Sequence, residues 1–73
     1  MKTLADLKKG ESGTIRSFSD PGLSLKLLEM GFLPNSEVYL CGKAPLGDPL
    51  WVRVSGYQLS LRKAEAATVF LEV

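Results

Sequence analysis

Residues 27–54, LLEMGFLPNSEVYLCGKAPLGDPLWVRV, decide the fold. Gly31 closes a helical pattern, Pro34-Asn35 makes a turn, and Ala44-Pro45-Leu46-Gly47-Asp48-Pro49 separates two apolar runs of strand character. Helix end, turn, strand, rigid loop and strand follow one another with almost no spare chain.

Upstream, Asp20 can accept from the free amides of a helix start, and Pro21 at the first helical position sacrifices no hydrogen bond. A helix from about Pro21 to Met30 results, with Leu23, Leu27 and Met30 on one face at about 100° per residue. Gly31 suits the left-handed position past the helix end, and Phe32 can fold back onto the last turn. Pro34-Asn35 fits the centre of a type II turn, because proline fixes φ and asparagine tolerates positive φ.

The spacing predicts a strand from about Ser36 to Cys41, then one with Leu50, Val52 and Val54 inward and Trp51 and Arg53 outward. Ser55-Gly56 turns the chain into a strand in which Tyr57, Leu59 and Leu61 alternate with polar residues. Lys63–Ala66 favours one helical turn, and residues 68–73 a last strand with Val69, Leu71 and Val73 inward. Toward the N-terminus, Thr3 can cap a brief turn carrying Leu4 and Leu7, and residues 13–18, GTIRSF, read as the first strand.

Five short strands with one α-helix between the first and second leave exposed edges unless they curl. The expected fold is therefore mainly β, a small SH3-like barrel, with residues 1–73 forming one domain. A chain of 73 residues lies near the lower size limit for a metal-free, disulfide-free core. Its hydrophobic content of 45% is that of a globular domain rather than a disordered segment.

Composition narrows the function. Nine basic and eight acidic residues give a net charge of +1, too little to hold a polyanion at a distance, so nucleic acid is not the expected partner. Lys2, Asp6, Lys8 and Lys9 interrupt the N-terminus, and no run approaches the ~20 apolar residues of a membrane helix, so no direct membrane insertion is expected. With a single cysteine, Cys41, no internal disulfide can form, and a reducing cytoplasm fits.

The chain contains no histidine, the side chain that most often moves protons near neutral pH and a common metal ligand. Its acidic residues are scattered singly, and Cys41 lies in an apolar strand where a packed thiol is the expected state. No GxxxxGK[ST] phosphate cradle occurs in the stretch from Gly42 to Gly47. No catalytic residues, metal ligands or cofactors are assigned.

What remains is surface shape. The loop of Ala44, Pro45, Leu46, Gly47, Asp48 and Pro49 contains two prolines, which lower the entropy lost when a partner fixes it. Leu25 and Leu28 project away from the core face of the helix, and form an exposed apolar patch unless the N-terminal turn or the loop at Phe32 covers them. These eight residues are the candidate partner-binding positions. Lys43, Arg53, Arg62 and Lys63 near Trp51 and Tyr57 read as ordinary solvated charges beside barrel aromatics, rather than as a base-stacking platform.

The order LLEMGFLPN, KAPLGDPLWVRV and LSLRKAEAATVFLEV resembles the FeoA family, the small ferrous iron transport proteins A, over nearly the whole chain. The resemblance rests on Leu27, Met30-Gly31 and Pro34 at the helix exit, the Ala44–Pro49 loop, and Leu61-Arg62 followed by Glu65-Ala66. Asn35 stands where that family usually has glycine, a departure that its tolerance of positive φ accommodates.

The resemblance implies an SH3-like barrel acting in the cytoplasm as a non-catalytic accessory to FeoB, the membrane ferrous iron transporter with a GTP-binding domain. The alternative is a direct metal-binding sensor or carrier module, related to the C-terminal domains of iron-dependent repressors. With no helix-turn-helix segment ahead of it, a free-standing accessory is the expectation. Weak self-association is also open to so small a chain.

Overall fold

The computed structural model describes residues 2–73. It contains six strands: β1 (Lys2–Thr3), β2 (Ser12–Phe18), β3 (Glu37–Lys43), β4 (Leu50–Val54), β5 (Tyr57–Leu61) and β6 (Val69–Glu72). Helix α1 (Pro21–Glu29) connects β2 to β3, and the short α2 (Lys63–Ala66) connects β5 to β6. A 3-10 turn at Leu4–Asp6 follows β1.

The strands form one antiparallel sheet in the order β1-β6-β2-β3-β4-β5. Five strands were expected; the sixth is the two-residue β1, which pairs Lys2 with Leu71 and Thr3 with Phe70. The expected position of α1, between the first two longer strands, is the observed one.

Two register shifts bend the sheet. Arg16 is the extra residue of β2 against β6, and Cys41 the extra residue of β3 against β4. A bulge adds local twist and curls a strand. The bulge also lets β3 run on through Gly42 to Lys43, past the end expected at Cys41. At the sheet's two ends, the 3-10 turn after β1 contacts α2 after β5, which brings the margins together around the core.

Among the described residues that core is a single cluster of 14 buried apolar residues. Alternation places Leu50, Val52 and Val54 of β4 inside, with Trp51 and Arg53 outside. Phe32, Leu27, Ile15 and Leu40 are fully buried beside them. Two inward expectations are corrected at strand ends: Tyr57 is 67% exposed and Val73 69% exposed. Tyr57 flanks the β4–β5 turn and Val73 follows the last residue of β6, so period-two alternation no longer implies burial there.

Helix α1 begins and ends by side-chain and backbone chemistry that the sequence specifies. The Asp20 carboxylate accepts from the N–H groups of Gly22 and Leu23 at 2.8 and 3.2 Å. At the other end Phe32 N–H donates to Leu27 C=O and Gly31 N–H to Leu28 C=O, both at 3.0 Å, the double bond set of a Schellman motif. Gly31 has φ +104, the left-handed conformation that this motif requires. The turn at Pro34-Asn35 closes with Ser36 N–H on Leu33 C=O at 3.1 Å, and Asn35 has φ +71.

Candidate functional site

The Ala44–Pro49 loop is closed on itself. Ala44 N–H donates to Pro49 C=O at 3.0 Å, and Gly47 N–H to Ala44 C=O at 2.7 Å, around Pro45 and Leu46. Pro45 at the second position and Gly47 at the fourth suit such a turn. The Asp48-Pro49 peptide is cis. A further anchor comes from outside: the Asp48 carboxylate accepts the Lys63 N–H at the first residue of α2.

This framework leaves the side chain of Leu46 96% exposed at the loop's outer turn. A large apolar side chain so exposed gains nothing from burial within this fold. Leu25 is 65% exposed, whereas Leu28 is half-buried. Both lie on α1 away from Leu27, which is fully buried.

The loop and α1 do share a groove, of about 730 Å³, but Leu25 and Leu28 do not line it. Its walls come from Lys26 and Met30 of α1, Asp48 and Pro49 of the loop, and Ser60 and Arg62 at β5. Of the candidate positions Asp48 and Pro49 line it, and the helix residues that share it with the loop are Lys26 and Met30. No local motif marks this groove, since it joins segments about 20 and 40 residues apart.

Electrostatically the groove is anchored by Glu65. Its carboxylate accepts from the Lys26 ammonium at 2.9 Å and from the Arg62 N–H at 3.1 Å. These bonds, the Lys26 bond foremost, outweigh burial and hold the Glu65 carboxyl below its ordinary range. Asp6 is likewise lowered, chiefly by the Thr3 N–H and then by the Thr3 hydroxyl.

On the outer face of the sheet, the Arg53 guanidinium lies over the Tyr39 ring at 5.9 Å from its centroid. Trp51 is 43% exposed on the same face. Arg62 does not join them, because it lines the groove. Among the described residues, no group of three or more Cys, Asp or Glu side chains gathers in a way that holds a metal ion. No helix among them is long and apolar enough to cross a membrane.

The family model for the FeoA domain matches residues 2–73. A Fe(2+) transport protein A/Fe(2+) transporter FeoB fusion protein of Porphyromonas gingivalis is 34% identical over 71 residues, which are 96% of this chain. The chain spans only 8% of that relative's length. The solution structure of a FeoA-like protein from Clostridium acetobutylicum superposes with a TM-score of 0.92 at 34% identity, covering 99% of this chain and 85% of that one. The crystal structure of FeoA from Stenotrophomonas maltophilia in complex with zinc, described as a prokaryotic SH3 domain protein, gives a TM-score of 0.86 at 31% identity. That match covers 99% of this chain and 91% of the other.

Proposed function

The chain belongs to the FeoA domain family, and on that premise we propose that it is a non-catalytic cytoplasmic accessory of ferrous iron uptake that docks onto an FeoB-like membrane transporter. The observation that carries this reading is the Ala44–Pro49 loop, closed by two backbone bonds and pinned by Asp48, with Leu46 96% exposed. A preorganised loop with an apolar tip loses little entropy on docking, and the tip supplies the anchor. Leu25 on α1 offers a second apolar contact, with Leu28 contributing less because it is half-buried.

The partner's identity is supported by the Porphyromonas gingivalis relative, in which a similar unit and the FeoB transporter occur in one polypeptide. The Stenotrophomonas maltophilia relative has been put forward as a ferrous iron transport activating factor, which agrees in kind. The test is capture of the purified soluble part of FeoB by the immobilised chain. Leu46→Gln and Leu25→Gln should each weaken capture while remaining folded, and Lys8→Ala should not. Undiminished capture by both leucine variants would remove these surfaces from the reading.

The zinc complex of the Stenotrophomonas maltophilia relative favours a second reading, direct metal binding. Because no group of three ligating side chains gathers among the described residues, the metal would be held by fewer, completed by water or backbone oxygens. Titration calorimetry with ferrous ion and with zinc should then show stoichiometric heat, and a flat isotherm with both metals sinks it.

A further inference from the structure

Strand β5 is the margin of the sheet and, among the described residues, pairs only with β4. The β4–β5 turn has two central residues, Ser55 at φ +52 and Gly56 at φ +81, a type I′ hairpin. In such a hairpin the residues flanking the turn, Val54 and Tyr57, exchange both backbone bonds, and the pattern repeats at every second residue. Tyr57, Leu59 and Leu61 therefore spend their N–H and C=O groups on β4. Those of Gln58 and Ser60 point away from it.

Gln58 and Ser60 are both exposed, and among the described residues no further backbone bond reaches them. Natural sheets blunt such an edge with charges, proline, a bulge or extreme shortness. The opposite margin obeys: β1 has two residues, one of them Lys2. Strand β5, YQLSL, has five residues, no charge, no proline and no register shift.

Beside this edge runs the groove, with Lys26 and Met30 of α1 facing Ser60 and Arg62. A groove alongside an open strand edge suits a single extended segment, which adds one strand and lays its side chains into the groove. The charges choose its chemistry: Glu65 is engaged by Lys26 and by Arg62 N–H, and Asp48 by Lys63 N–H. Among the described residues no carboxylate lies within 4.0 Å of the Arg62 guanidinium.

We propose that the open edge of β5 is a strand-addition site for an extended peptide segment of a partner protein, carrying an acidic residue that pairs with Arg62. Backbone bonds to Gln58 and Ser60 supply the register, and the Arg62 pair supplies selectivity. This inference goes beyond the transporter reading: its site adjoins the Ala44–Pro49 loop at Asp48 and Pro49, but it rests on the β5 edge and Arg62 and holds whichever protein provides the segment.

The test uses the full chain and a displayed library of random seven-residue peptides. Selected peptides should carry an acidic residue, shift the Gln58 and Ser60 amide resonances, and slow exchange of those two amides by about tenfold or more. Arg62→Gln should weaken binding by about tenfold. N-methylation at one alternate set of peptide amides should abolish binding while the other set tolerates it, a control that leaves the protein unaltered. Failure to enrich any binder, or binders mapping to Leu46 or Trp51 instead, overturns the proposal. So does concentration-dependent protection of Gln58 and Ser60 with no peptide present, because the occupant is then a second copy.

Discussion

The carboxylate of Asp48 accepts the backbone N–H of Lys63 at 3.0 Å, so one side chain ties the β3–β4 loop to the start of α2. Asp48→Ala removes a charge-assisted bond on an exposed residue, a loss of about 1 kcal/mol. In a domain this small that lowers the Tm by roughly 4–8 °C. Asp48→Asn keeps an acceptor oxygen and should retain most of the stability. Calorimetry of both variants, with amide exchange at Lys63, checks the assignment; equal losses would mean that the negative charge rather than the bond matters.

Gly31→Ala should cost about 1 kcal/mol through left-handed backbone strain alone. The nearest atoms that an added Cβ meets are those of Ser55 at 3.9 Å, so no steric clash contributes. Gly31→Asn should cost less, because asparagine tolerates positive φ. Urea unfolding of the pair separates strain from crowding, since crowding would make asparagine the worse of the two.

Phe32→Ala should be severe. Phe32 is fully buried and is the largest such side chain, and its removal costs about 3–5 kcal/mol in transfer and cavity terms. That is a large share of the ~5–15 kcal/mol by which domains are stable. Leu46→Gln, at a position 96% exposed, should leave unfolding within about 0.5 kcal/mol of the parent. Denaturant midpoints decide both.

Acid should loosen the link between α1 and α2. The Glu65 carboxyl is held below its ordinary range chiefly by Lys26, so its contribution is complete above that range and is lost as pH falls through its lowered folded-state value. Lys26→Met should remove part of this acid-dependent stability, about 0.5–1 kcal/mol for a pair whose lysine is largely exposed. Stability measured between neutral and strongly acidic pH should show a shallower acid limb for the variant. An unchanged limb would assign the acid sensitivity to other carboxylates.

The parts of the fold legible in the sequence are those governed by local chemistry. Asp20 and Pro21 start α1, Gly31 ends it, Asn35 takes positive φ, and the alternation in β4 sets its two faces. Strand β1 was not legible, because two residues have no periodicity and their pairing depends on Leu71 and Phe70 far along the chain. Gly42 reads as a breaker, but the bulge at Cys41 carries the strand through it. The loop's closure was foreshadowed by its prolines. The groove was not, since Lys26, Asp48, Arg62 and Glu65 come together only when α1, the loop and α2 converge.

Strand β6 lies between β1 and β2, although its residues come last among the strands. Its residues Val69–Glu72 bond to β1 on one side and to β2 on the other. Loss of strand β6 thus opens the sheet on two sides at once, leaving β1, among the described residues, without a partner and β2 with a bare edge.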